Sequence, residues 1–189
     1  MADKNLPTPD QLRKLLDYDP ETGRFWFKMR SREMFESDRI FKSWNTKHAG
    51  REAFLVEHDL GYKKGGVLGV IIFAHRAAWA MTHGEWPEHG IDHINGNKAD
   101  NRLANLRKAT QSENMRNRGP QQNNKSGFKG VFWDNQKRQW TARITLQGKQ
   151  THLGGFPTPE AAHAAYAAFV NGHHGDFAND GLAPRESVH

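Results

Sequence analysis

The chain contains no cysteine, which excludes disulfides and thiolate metal sites together. No apolar run approaches the roughly 20 residues that span a bilayer, and the polar start Met1-Ala2-Asp3-Lys4 does not read as a signal peptide. A cytoplasmic protein with no membrane partner is the expectation. Large apolar side chains are present but thinly spread: 36% of residues are hydrophobic, including six Trp and eleven Phe. In 189 residues that supplies two or three small cores rather than one large one.

Positive charge is plentiful. Lys and Arg number 27 against 21 Asp and Glu, a formal charge of +6, with a pI near 9.7. Such a chain suits a polyanion, although a merely solvated basic surface would give the same sum. The distribution sharpens the reading. Five basic residues and one acid lie between Arg102 and Arg118, and six basic residues and one acid between Lys125 and Lys149.

Thr8-Pro9-Asp10 opens a short helix, with Thr8 as N-cap, Pro9 at its first position and Leu12, Leu15 and Leu16 as its apolar face. Residues 17–23 read as a turn, Arg24 to Lys28 as a strand, and residues 29–60 as mostly irregular. Val67 to Phe73 reads as one buried strand and Ala74 to Met81 as a helix stopping near Gly84. A strand into Asp92-His93, a turn-rich stretch and a strand near Leu106–Ala109 follow. Thr110-Gln111-Ser112-Glu113 is a capping box for a further helix. Residues 119–125 lack large apolar side chains and read as a linker. Three strands then precede a helix from Pro159 to about Asn171, with Ala162, Ala165, Tyr166 and Phe169 on one stripe.

Asp92, His93, Asn105 and Asn114 fall on strand, loop, strand and helix of a β-hairpin followed by a helix. That order can bring Asp92 and Asn114 around one hard cation, Mg²⁺ or Mn²⁺, which favours oxygen donors. His93 alternates to the other face of its strand, where a neutral imidazole could take a proton from water. Asn105 could orient that ring through its second nitrogen. Eleven histidines raise zinc as a rival, but their spacing matches no standard zinc pattern. His163, His173 and His174 are read as surface residues. His75 and Arg76 are read as packing residues, with phosphate contact as the alternative.

The runs Ile91-Asp92-His93-Ile94-Asn95-Gly96, Asp100-Asn101-Arg102-Leu103-Ala104-Asn105-Leu106-Arg107 and Thr110-Gln111-Ser112-Glu113-Asn114 resemble the phage HNH homing endonucleases. So do Leu16 to Gly23 and His75-Arg76-Ala77-Ala78-Trp79 upstream. The resemblance implies a ββα-metal fold, with Asp92 and Asn114 as metal ligands, His93 as general base, Asn105 as ring-orienting residue and a 5′-phosphate product. The last letter of the HNH pattern is Asn here, as in several phage members.

Ser126 to Val131, Trp140 to Ile144, His152 to Phe156 and the Ala-rich helix with Ala165-Tyr166 resemble the AP2 DNA-binding domain. That likeness implies a three-stranded antiparallel sheet in a major groove with a helix behind it. By strand alternation, Trp140, Ala142 and Ile144 face the helix, and Thr141, Arg143 and Thr145 face away. Lys129, Arg143, Gln150 and His152 are expected on the DNA-facing side, with Lys137 and Arg138 in a strand turn near phosphates. Trp133 and Trp140 are read as core. Phe132 and Asp134 stand where that family often has Arg.

The expected architecture is α+β: an HNH region over 1–118 (core about 67–118), a linker over 119–125, an AP2-like domain over 126–180 and a tail over 181–189. The expected activity is metal-dependent hydrolysis of duplex DNA, by a monomer or a dimer, in a host-cell cytoplasm if phage-encoded. A DNA-binding regulator with an inactive HNH module and an RNA-directed protein are the alternatives.

Overall fold

The computed structural model describes residues 6–117, 124–146 and 148–173. These fall into two compact units, one running through Ala109 and the other starting at Thr110.

The first unit opens with helix α1 (Pro9–Leu15). Gln11 and Thr8 exchange the two hydrogen bonds of a capping box, and Leu12, Leu15 and Leu16 enter the core. A hairpin follows, β1 (Leu16–Asp19) and β2 (Arg24–Phe27), paired antiparallel. The turn expected over 17–23 therefore shrinks, because Asp17 to Asp19 are held in the ladder. Gly23 closes this hairpin at φ 71°, and a Cβ there would lie 2.5 Å from the Arg102 backbone nitrogen. Only glycine allows this close approach. It seats the turn on the segment around Asn101: Leu103 N–H donates to the Pro20 carbonyl at 3.0 Å, and the Tyr18 hydroxyl donates to the Asn101 carbonyl at 2.8 Å.

Residues 29–60 are more ordered than their mixed charges suggest. They contain helix α2 (Asp38–His48), capped by the Ser37 hydroxyl, and the short strand β3 (Val56–Glu57). The Trp44 ring packs against Phe27, Phe35 and His48, and the Arg30 guanidinium lies 3.8 Å above it. These contacts come partly from outside the helix, so its own periodicity under-reports them.

The single buried strand expected from Val67 to Phe73 is also corrected. Two strands, β4 (Lys63–Val67) and β5 (Val70–Phe73), meet at a tight turn. Leu68 and Gly69 there adopt φ of 50° and 80°, the left-handed pair that matches hairpin twist. Ile71 is consequently exposed. Helix α3 (Ala74–His83) ends at Gly84 in the left-handed conformation. Its Ala77, Ala78 and Trp79 join Leu12, Leu16, Phe25 and Val67 in one core. The unit closes with the hairpin β6 (Gly90–His93) and β7 (Leu106–Ala109).

The second unit begins with α4 (Gln111–Asn117). The expected box is present: Thr110 N–H donates to the Glu113 carboxylate at 2.7 Å, and Glu113 N–H to the Thr110 hydroxyl at 3.3 Å. Of the stretch read as a linker, 119–123 lies outside the described residues. Asn124 forms part of a turn, its amide donating to the Phe128 carbonyl. Strands β8 (Val131–Asp134), β9 (Gln139–Leu146) and β10 (Lys149–Phe156) form an antiparallel sheet in the order β10-β9-β8, with helix α5 (Pro159–His173) packed on one face. Val131, Ala142 and Ile144 meet Ala162, Tyr166 and Val170 in a small core. Gly130 is needed there: it sits at φ 73°, and a Cβ would fall 2.2 Å from the Tyr166 ring.

Three side chains differ from expectation in this unit. His163 is buried, stacked on Phe128 at 4.8 Å, because its helix face meets the sheet. Trp133 is 46% exposed and meets Trp140 edge-on. The short β8 leaves both indoles at the margin of the core, with Trp140 half-buried. His173 is exposed as read, and His174 lies outside the described residues.

Candidate active site

The β6–β7 ladder sets Asp92 opposite Arg107 and His93 opposite Leu106. Adjacent residues on a strand point to opposite faces, so the two candidate catalytic side chains have different neighbours. Both are buried.

Asp92 meets Arg107. Its Oδ2 accepts from Nε at 2.9 Å and from Nη2 at 2.7 Å. The sequence motif alone gives Arg107 no role. Its place directly across the hairpin from an acid was the available signal.

His93 lies among rings. The His75 ring stands edge-on to it at 5.2 Å between centroids, and Tyr62 lies 5.8 Å away. Burial pushes the His93 imidazole below its ordinary pKa, against the raising effects of Asn101, Asp92 and Asp100. Burial thereby favours the neutral ring, the form that can accept a proton. His75 is more extreme. It is 7% exposed, burial together with His93 and Arg76 takes it down to about 3, and among the described residues its buried Nδ1 has no hydrogen-bond partner. Arg76 donates to the Pro87 carbonyl at 3.5 Å.

The ring-orienting role expected of Asn105 is corrected. Asn105 ends a 3₁₀ turn, Leu103–Asn105, and its side chain points into the 94–105 loop. There Oδ1 accepts from Asn95 N–H at 2.9 Å, and Nδ2 donates to the Asp100 carbonyl at 2.8 Å. Asn101 approaches His93 instead: its Oδ1 stands 3.4 Å from His93 Nε2, a long contact. The same residue is held by Tyr18 through its carbonyl. Asp100 finishes the loop, taking bonds from Asn95 and from Arg102. The loop is thus clamped by its own polar side chains and by the distant β1–β2 turn.

Asn114 lies half-buried on α4, in the second unit. Among the described residues, no group of three or more His, Asp or Glu side chains is placed to hold a metal. The donors offered by the motif are one carboxylate and one amide, hard oxygens that suit a cation keeping several of its own waters.

In the second unit, His152 pairs with Arg143 and Gln150 with Thr145 across β10 and β9. Arg143, Gln150 and His152 therefore share the sheet face turned away from α5. Exposed Lys137 and Arg138 occupy the β8–β9 turn. Lys129 is corrected: it precedes β8, and its ammonium donates to the Arg116 carbonyl at the end of α4, so it is not on that sheet face. Phe132 alternates onto the same face as Arg143 and is exposed.

The curated relative Protein 3.8 of Escherichia phage T7 is 38% identical over 77 residues, covering 40% of this chain. The match spans 64% of the length of that phage protein. No solved structure matches the chain. The family model described as HNH endonuclease matches residues 73–116, the stretch that holds α3, both strands of the β6–β7 hairpin and most of α4. Residues 73–116 are an HNH endonuclease domain, in a chain with a homologue in a phage.

Proposed function

We propose that the protein is a metal-dependent DNA endonuclease of the homing type, in which the HNH domain cuts and the β8–β9–β10 module, an AP2-type domain, grips duplex DNA near the cut. The observation that carries this reading is the buried His93 beside Asp92 at the end of β6, within the family match.

His93 takes the proton of a water molecule as that water attacks phosphorus. The bond to the 3′ oxygen breaks, leaving a 5′ phosphate, and the departing 3′ oxygen takes a proton from solvent water. Asn101 and the His75 and Tyr62 rings limit how the imidazole can turn, so the base is oriented before substrate arrives. Asp92 and Asn114 are the residues that would hold a divalent cation, Mg²⁺ or Mn²⁺. When bound, that cation supplies charge stabilisation for the phosphorane and the departing oxygen. Asn105 acts at one remove, keeping the loop that carries Asn101 in shape.

Arg143, Gln150 and His152 present donors to base edges and phosphates, while Lys137 and Arg138 reach phosphates. Tethering by this module raises the local concentration of a sequence-tolerant cutter. One active site per chain cuts one strand at a time.

The test is incubation of supercoiled DNA with the protein in Mg²⁺, in Mn²⁺ and in EDTA, with duplex RNA as competitor. Nicking or linearisation that needs the metal and resists the RNA is the expected result. A folded protein that binds the DNA but never cuts, whichever divalent ion is supplied, would instead be a regulator with a silent HNH domain.

A further inference from the structure

The Asp92–Arg107 pair has a bearing on the metal. The two residues face each other in the β6–β7 ladder, and their side chains keep only 9% and 16% of their accessible surface. Nε and Nη2 of the guanidinium converge on one carboxylate oxygen, Oδ2. A carboxylate at that depth is costly without a positive partner, and Arg107 supplies one from within the hairpin.

A divalent cation on the same carboxylate would be a second positive charge within a few ångströms of the guanidinium. Like charges at that separation repel strongly where water is scarce. The ion and Arg107 are therefore rivals for Asp92.

We propose that Arg107 is a built-in competitor for the cation. It positions and neutralises Asp92 in the metal-free protein, and it sets the metal affinity of the site by having to yield. This rests on the reading of Asp92 as a metal ligand. The hairpin then folds without metal, and the affinity stays low enough for the ion to be gathered together with DNA.

The test uses the full chain and Mn²⁺ as the probe. Free Mn²⁺ is followed by electron paramagnetic resonance, and the unfolding midpoint is measured with Mn²⁺ and with EDTA. Arg107→Gln should bind Mn²⁺ about tenfold more tightly or better and unfold at a lower temperature in EDTA. Arg107→Lys, which keeps one charge but loses the two-point hold, should fall between that variant and the wild type. Asp92→Asn should lose Mn²⁺ binding. If Asp92→Asn binds as the wild type does, the assignment of Asp92 as ligand fails, and the proposal with it. If Asp92→Asn loses the metal while Arg107→Gln binds no more tightly than wild type, the ligand stands and the competitor falls. Should Arg107→Gln fold only when Mn²⁺ is present, the proposal is supported. Should it fold in neither condition, Arg107→Lys decides, and an unchanged affinity in that variant overturns the idea.

Discussion

The β6–β7 hairpin and its loop bury their candidate catalytic side chains, whereas the β8–β9–β10 sheet leaves its candidate DNA-contacting ones within reach of solvent. Asp92, His93 and Asn105 are buried; Gln150 and His152 are exposed, and Arg143 is half-buried. On the proposed function, the contrast separates two jobs. A group that must move a proton gains from desolvation and a fixed orientation, at a cost in stability. A group that must meet a long polyanion has to be accessible and can stay solvated. Changes in the hairpin should therefore show in stability and turnover, and changes on the sheet face in affinity.

Asn105→Ala should have the largest effect on stability. It strips a buried partner from Asn95 N–H and from the Asp100 carbonyl at once, a loss of about 3 kcal/mol readable by urea unfolding. An unchanged midpoint would mean that the loop is held by other bonds.

His75 links the hairpin to acid sensitivity. Its folded pKa of about 3 lies below the ordinary histidine value, so the unfolded chain binds the extra proton. The stability it contributes is complete above about pH 6.5 and is lost as pH falls towards the folded value. Between about pH 6.5 and pH 5 that loss is about 2 kcal/mol. His75→Phe keeps a ring against Phe73 and Tyr62 and should flatten the slope. Parallel pH profiles for the variant and the wild type would show that His75 titrates normally.

On the sheet, Arg143→Ala should weaken binding to a preferred DNA by about 1–3 kcal/mol if Arg143 reads a base edge, with little change in unfolding. An equal loss on every sequence would make it a phosphate contact. Lys137→Ala is the mildest change: the slope of log affinity against log salt should fall by about 1. An unaltered slope would remove Lys137 from the footprint.

The same contrast governs what the sequence discloses. The β8–β9–β10 strands and α5 were legible because each element carries its own period, down to which β9 residues face the helix. The strand ending at Asp92-His93 and the Thr110–Glu113 box were legible because their residues are close in the chain. Asn101 and Tyr18 were not, since they are 83 positions apart and meet only because Gly23 lets one turn lie on another. Asn105 was read onto the second strand and given the wrong partner, because it ends a 3₁₀ turn that aims its amide into the loop. Trp44 and the helix around it were hidden for a related reason: half of the aromatic cluster comes from before α2.

The most direct check on the account is His93→Ala, followed in one experiment for both DNA affinity and single-turnover cleavage of supercoiled DNA with Mg²⁺ or Mn²⁺. The account predicts cleavage reduced by about 100-fold or more, with affinity held within about twofold because the sheet module is untouched. Cleavage at the wild-type rate, or a loss of binding that matches the loss of cutting, would contradict the assignment of His93 as the base.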